Sequence, residues 1–220
     1  MKICLLCHRR DFLKKAVAGA AAFFATRGAF AEALSLTPSQ TEGPFFPDKL
    51  PLDTDNDLII INDSITPAVG EITHLSGVVM DQNGQPMSNA LVEIWETDHA
   101  GVYLHTRGGD RNKMDRNFQG YGRFSTDRLG RYYFRCLKPS PYPGRTPHIH
   151  VAVSHKNKRL LTTQFYVAGL DSNARDGIYR SLDKAGKKLV TSPFQPLPDS
   201  KTGDLQANFN IVIGRTPGDS

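Results

Sequence analysis

From Ile72 onward, short runs of β-branched and aromatic residues alternate with clusters of Gly, Pro, Asn and Asp, a punctuation that admits strands and nearly excludes helices. HLSGVVM and NALVEIWET flank the turn DQNGQP at 81–86, and GYGRFST and RYYFRC flank DRLG at 127–130. Each set reads as two strands joined into a hairpin. HIHVAVS and RLLTTQFYV, joined by the polar HKNK, read as a third. In LQANFNIVI, 205–213, Leu205, Ala207, Phe209, Ile211 and Ile213 fall on one face of a half-buried strand. One stretch, Asp171 to Ala185, has helical character, and Gly177 weakens it. Two sheets burying a single core satisfy this pattern. The predicted fold class is therefore all-β, a β-sandwich of mostly antiparallel strands with at most one or two short helices.

A chain of 220 residues supports one full core. The sandwich is expected over residues 71–220, behind an extended N-terminal arm over 32–70 that is rich in Pro, Asp, Thr and Ser and contains TEGPFFP at 41–47. Residues 1–31 do not read as fold. Arg9-Arg10 followed by Asp11, Phe12, Leu13 and Lys14 resemble the twin-arginine export signal. The apolar run Ala16–Ala25 is too short to span a bilayer, and Ala29-Phe30-Ala31 has the small-x-small form of a cleavage site. A periplasmic or secreted destination is the expectation.

Six of the 27 Lys and Arg and one of the 22 Asp and Glu lie in those 31 residues, which leaves 21 of each sign in the remainder. The excess of positive charge belongs to the export signal, so it argues for neither a nucleic-acid partner nor a membrane partner of the mature form. Cys4 and Cys7 leave with the signal. Only Cys136 remains, so no intrachain disulfide staples the domain.

The chemistry concentrates in YPGRTPHIH, 142–150. His148 and His150 are two residues apart at the start of an apolar strand, so both imidazoles leave one face while Ile149 and Val151 leave the other. A pair of surface histidines would look the same. Zinc would require a third His, a Cys or a carboxylate, and a ferrous facial triad a carboxylate; Asp98, His99 and His105 are the reserve donors. Phenolates offer another solution, since two hard anionic oxygens and a hydroxide beside two neutral imidazoles balance a ferric ion. Tyr142, bracketed by Pro141 and Pro143, and Tyr103, just past the break Asp98-His99-Ala100-Gly101, are the placed candidates.

VEIWETDHAGVY, then GRFSTDRLGRYYFRCLKPSPYPGR, then PHIH and TTQFY, with TPSQTEGPFF ahead of them, resemble the intradiol ring-cleavage dioxygenases in order and spacing, especially protocatechuate 3,4-dioxygenase subunits. The resemblance implies Tyr103, Tyr142, His148 and His150 as ligands of non-haem Fe(III), with Tyr142 and His150 axial. It also implies Arg145 as the active-site arginine that stabilises charge on the ring, Gln164 as a supporting glutamine, and Tyr142 as a base. Thr41, Gly43 and Pro44, with Arg145, match residues lining the substrate pocket. The implied reaction joins a catechol-type diol and both atoms of O2 into a cis,cis-muconate-type product, and a homo-oligomer is compatible with it. The five residues between Tyr142 and His148 make a shorter loop than is usual in the family, with Gly144 where an aromatic is common, so a more open pocket is expected.

Two other readings stand beside this one. GVVMDQNGQPMSNALVEIW also resembles prealbumin-like sandwiches, which implies a non-catalytic binding module. A zinc or ferrous enzyme would recruit His99 or His105 to the two-histidine clamp.

Overall fold

The computed structural model describes residues 34–61 and 65–214, and the expected export signal lies outside them. In chain order the strands are β1 (Ile72–Asp81), β2 (Leu91–Trp95), β3 (Tyr121–Ser125), β4 (Arg131–Leu137), β5 (His148–His155), β6 (Lys158–Val167), β7 (Thr191–Ser192), β8 (Gln195–Pro196), β9 (Leu205–Asn208) and β10 (Ile211–Ile213). They form two five-stranded sheets. In one, β1 is central, antiparallel to β4 and parallel to β9 and β10, and β8 pairs with β9. The other runs β3-β2-β5-β6-β7. Leu75 and Val79 of β1, Phe134 of β4, Val92 and Ile94 of β2, and Ile149, Val151 and Val153 of β5 are fully buried in the core the two sheets share. Phe165 stacks on Phe209 across it at 4.1 Å.

The all-β class, the sandwich and the strand positions agree with the sequence reading, but two of the three expected hairpins do not form. β1 and β2 lie in different sheets, as do β3 and β4. The local turns are present: Asp127 Oδ1 accepts from the Leu129 and Arg131 amides, and Gly84 and Gly130 have positive φ. After each turn the chain crosses the core to pair with a distant strand. Turn residues specify a reversal, and long-range burial decides which sheet receives the next strand. β5 and β6 do form a hairpin, through Lys156 and Asn157, whose φ values of 48° and 62° give the primed turn that matches strand twist.

The stretch 205–213 runs beside β1 in constant register, Thr73 opposite Leu205 and Val79 opposite Ile211, as its alternation requires. It is interrupted only at Phe209 and Asn210, where Asn210 Oδ1 accepts from the Val78 amide. The expected helix over 171–185 is instead three pieces: a 3₁₀ turn at Asp171–Arg175, α1 (Gly177–Ser181) and α2 (Lys184–Leu189). Asp176 and Asp183 break it. Each has an extended backbone and accepts hydrogen bonds from the amides that follow, so each starts a new helix where helical periodicity alone would continue the old one.

Between residues 34 and 61 no strand forms, but the segment is tied down. Thr37 N donates to Val212 O, Gln40 N to Thr162 O and Leu58 N to Arg135 O. Leu58 and Ile59 are fully buried.

Candidate metal centre

Ile149, Val151 and Val153 fill the core, so the opposite face of β5 directs His148 and His150 to the outer side of the second sheet. Strand register sets their neighbours there: Trp95 of β2 and Gln164 of β6 beside His150, and Tyr166 beside His148. The arm closes over this face. Phe46 meets the Trp95 ring edge-on at 5.0 Å, and Phe45 stacks on Tyr103 at 5.2 Å.

Two turns deliver the phenols. Asp98 Oδ1 accepts from the Ala100 and Val102 amides, which bends the chain after β2 and brings Tyr103 inward. Arg111 Nη1 donates to the carbonyls of Tyr103, Leu104 and His105 and fixes that segment from behind. Tyr142 opens a turn closed by the Arg145 amide donating to its carbonyl at 3.0 Å, with Gly144 at φ 82° as a Pro-Gly turn needs. The turn places Arg145 Nη1 3.3 Å from the Tyr142 hydroxyl. A Cβ built on Gly144 meets nothing within 4 Å, consistent with the open side expected from the short loop.

The donor atoms converge. His148 Nε2 and His150 Nε2 are 3.2 Å apart, and the Tyr103 hydroxyl lies 3.3 Å from the first and 3.0 Å from the second. The Tyr142 ring centroid is 5.4 Å from that of Tyr103 and 5.6 Å from that of His148. The Thr146 carbonyl, 2.6 Å from His148 Nδ1, can only accept, so that nitrogen carries the proton and Nε2 presents a lone pair to the cluster. Burial, then the Arg145 charge, lowers His148 to about 4; burial, then His148 and Arg145, holds His150 well below the usual histidine range. Both imidazoles are neutral donors near pH 7. Burial and the neighbouring Tyr142 push the Tyr103 phenol well up, a balance that a cation among these atoms would invert.

This arrangement fits a metal ion. Donors 3.0 to 3.3 Å apart match the edges of a coordination shell, for which bonds to nitrogen are about 2.0 to 2.1 Å. Among the described residues His150 Nδ1 is buried with no partner, and the ring's polar contacts there lie on the side facing the cluster. The reserve donors are committed elsewhere. Asp98 is bound to backbone amides, His105 Nδ1 accepts from the Arg107 amide, and His99 is exposed beside Asp115. Among the described residues no group of three or more His, Cys, Asp or Glu side chains could hold a metal, so a zinc or ferrous site of that type has no third ligand here. Beside the two histidines stand the phenols of Tyr103 and Tyr142.

Of the other expected residues, Arg145, Gln164 and Thr41 are brought together. Arg145 Nη2 donates to Gln164 Oε1 at 2.5 Å, and Gln164 Nε2 donates to the Thr41 carbonyl at 2.9 Å. Gly43 touches the cluster, since a Cβ built there would stand 3.3 Å from His150 Cε1. Pro44 is exposed, and the side chains that cover the site are those of Phe45 and Phe46. Sequence reasoning missed Trp95, which lies flat on His150, and Asp176, whose Oδ2 accepts from Arg145 Nε at 2.7 Å and from the Thr146 amide at 3.0 Å. Trp95 could have been found by extending the β2 alternation to its last residue.

A sandwich with a buried pair of imidazoles and two phenols under an N-terminal arm defines a protein built around one polar centre on a sheet face. A family model described as dioxygenase matches residues 41–214. The chain is 34% identical over 154 residues to the protocatechuate 3,4-dioxygenase beta chain of Burkholderia cepacia, covering 66% of this chain and 65% of that one. It is 30% identical over 201 residues to the hydroxyquinol 1,2-dioxygenase of Corynebacterium glutamicum, covering 80% and 63%. It therefore spans just under two thirds of the length of these relatives. Among solved structures, the dioxygenase domain of a dioxygenase–carbohydrate-binding protein fusion from Streptomyces sp. SirexAA-E matches with a TM-score of 0.64 and 26% identity, over 83% of this chain and all of that one. The chain belongs to the intradiol ring-cleavage dioxygenase family.

Proposed function

We propose that this protein is a non-haem Fe(III) intradiol dioxygenase that cleaves the ring of a catechol-type substrate with O2 to a cis,cis-muconate-type product. The observation that carries the reading is the convergence of His148 Nε2, His150 Nε2 and the Tyr103 hydroxyl within 3.3 Å of one another, with Tyr142 beside them. His148, His150, Tyr103 and Tyr142 would hold the iron. When bound, the ferric ion supplies the Lewis-acidic centre that draws a diol into its electron-rich dianionic form, the form that reacts with O2.

The two phenols have different parts. Tyr103 is enclosed and pinned by Arg111, whereas Tyr142 is half-buried on an exposed Pro-Gly turn, so Tyr142 is the phenol free to move and to accept a proton from the substrate. Arg145 reaches the Tyr142 oxygen and stabilises negative charge developing on the ring, a role whose loss costs roughly 10² to 10³ in rate. Gln164 holds the guanidinium with its oxygen and the arm with its amide. Trp95, Phe45 and Phe46 keep water from the inner side of the cluster. Thr41 and Gly43 form the edge of the diol pocket. Pro44, next to Gly43 in the arm, continues that edge.

Family membership favours this over the binding-module reading, and the strand-turn-strand segment that suggested a module is here an arch between sheets. Arg9-Arg10 and the Ala29-Phe30-Ala31 site support export through a twin-arginine-type signal to the periplasm or beyond. Protein made in iron-replete medium should be wine-red and should consume O2 with a catechol from a panel, yielding a ring-opened diacid. A colourless protein that takes up no iron and consumes no O2 with any catechol of the panel sinks the assignment.

A further inference from the structure

Asp176 lies outside every role described so far. Its side chain has no exposed surface, and it sits thirty-one residues from Arg145 in sequence, at the junction between the 3₁₀ turn and α1. Its two oxygens divide the work. Oδ1 accepts from the Ile178 and Tyr179 amides and caps α1, while Oδ2 accepts from Arg145 Nε and the Thr146 amide. Burial would raise this carboxyl, but the Tyr179 amide, the Arg145 guanidinium and the Thr146 amide outweigh it and hold the group below the usual carboxylate range, so it is anionic wherever the protein is folded near neutral pH.

The segment it grips leads directly to the cluster. Arg145 has three anchors in three directions: Asp176 on Nε, Gln164 on Nη2 and the Tyr142 hydroxyl on Nη1. The guanidinium is a planar fork, so fixing Nε against a buried carboxylate fixes where the other two nitrogens point. Thr146, the next residue, is held at its amide by Asp176 and at its hydroxyl by Ser172 and Asn173, and its carbonyl sets the tautomer of His148. The helical insert between β6 and β7 thus acts on the centre through a two-residue bridge.

We propose that Asp176 is a positioning residue for the ring-cleavage reaction: its carboxylate aims the Arg145 guanidinium at the Tyr142 oxygen. This rests on the assignment above. Capping α1 needs only a short polar acceptor, and Asn or Ser would serve. The buried negative charge is needed for the arginine, because a guanidinium desolvated without a counter-charge abandons its geometry.

The test is D176N, which keeps the volume and, through its one oxygen, the cap, but removes both the charge and the Oδ2 acceptor that holds Arg145 Nε and the Thr146 amide. Activity is normalised to bound iron, and the visible absorption band is recorded alongside. The expected result is a fall in kcat per iron of about 10- to 100-fold with KM within threefold, a shifted band of retained intensity, and no further loss when D176N is added to R145Q. A purely structural role predicts lower melting temperature and iron content with kcat per iron unchanged, and that result overturns the proposal, as does full additivity with R145Q. Should D176N not accumulate as folded protein, D176E, which retains charge but displaces it by one methylene, is expected to lower kcat per iron with KM within threefold, and an unchanged kcat per iron overturns the proposal. Wild type without ring cleavage would instead overturn the parent assignment, so the two failures are distinguishable.

Discussion

Trp95 lies flat against His150, ring centroids 4.9 Å apart and planes 9° apart, and the two residues face each other across the β2–β5 register. The indole forms one wall of the imidazole, and the Gly43 backbone approaches its edge. Since His150 Nδ1 has no hydrogen-bond partner, packing sets the ring orientation. W95A should cost about 3 to 5 kcal/mol and weaken iron binding as well. W95F keeps a stacked ring and removes the unpartnered buried indole N–H, so it should cost less than about 1.5 kcal/mol. Urea midpoints at constant m-value, with iron per protein, check both.

The two phenols should separate from the two unused histidines. Y103F is expected to lose bound iron and with it most of the visible absorption, and Y142F to keep iron and a weakened, shifted band from the Tyr103 phenolate with a kcat decrease of at least about 100-fold. H99A and H105A should leave iron content unchanged, because neither side chain contacts His148 or His150 among the described hydrogen bonds and ring contacts. Metal analysis of the four variants is decisive, and iron loss in H99A or H105A would revive the third-histidine reading.

Much of this was legible in the sequence because alternation is a local signal. The period of two in HIHV put both imidazoles on one face, and the same period in LQANFNIVI set its register along β1. Crossing between sheets is non-local, and the turns 81–86 and 127–130 look alike whether the next strand pairs back or crosses over. Asp176 was hidden for a related reason: in DSNARDGIY it reads as one polar residue within a helix, and only tertiary contact reveals its approach to Arg145. Phe45 and Phe46, next to the arm residues singled out from the sequence, make the ring contacts over the cluster, which a motif match in the backbone of an arm does not reveal.

Gly77 marks where β1 meets the interruption between β9 and β10. A Cβ there would stand 1.9 Å from the Phe209 carbonyl oxygen and 2.8 Å from the Tyr132 hydroxyl, which itself donates to that carbonyl. The clash is with backbone, so no rotamer change relieves it. G77A should destabilise by about 3 kcal/mol or more, measured as a urea midpoint, while iron bound per folded molecule stays constant. A neutral G77A would mean that the β1–β9 register is looser than the hydrogen bond from Phe209 N to Ser76 O implies.

Asp176 also predicts how stability depends on acid. Its folded pKa is depressed relative to an unfolded carboxylate near 3.9. Its contribution is therefore fully present above that unfolded value and is lost as pH falls through the lower folded one. The charged group facing it is Arg145, which stays protonated throughout, and Ser172 and Asn173, joined to it through Thr146, do not titrate. Asp48, Asp127 and Asp204 are depressed too, so the wild-type curve alone does not isolate Asp176. The difference between wild type and D176N does, because those three groups cancel. Urea midpoints should show that difference at full size at about pH 5 and visibly smaller at about pH 3. A difference that stays constant over this interval would mean that the carboxylate is not held ionised by the guanidinium and the amides around it.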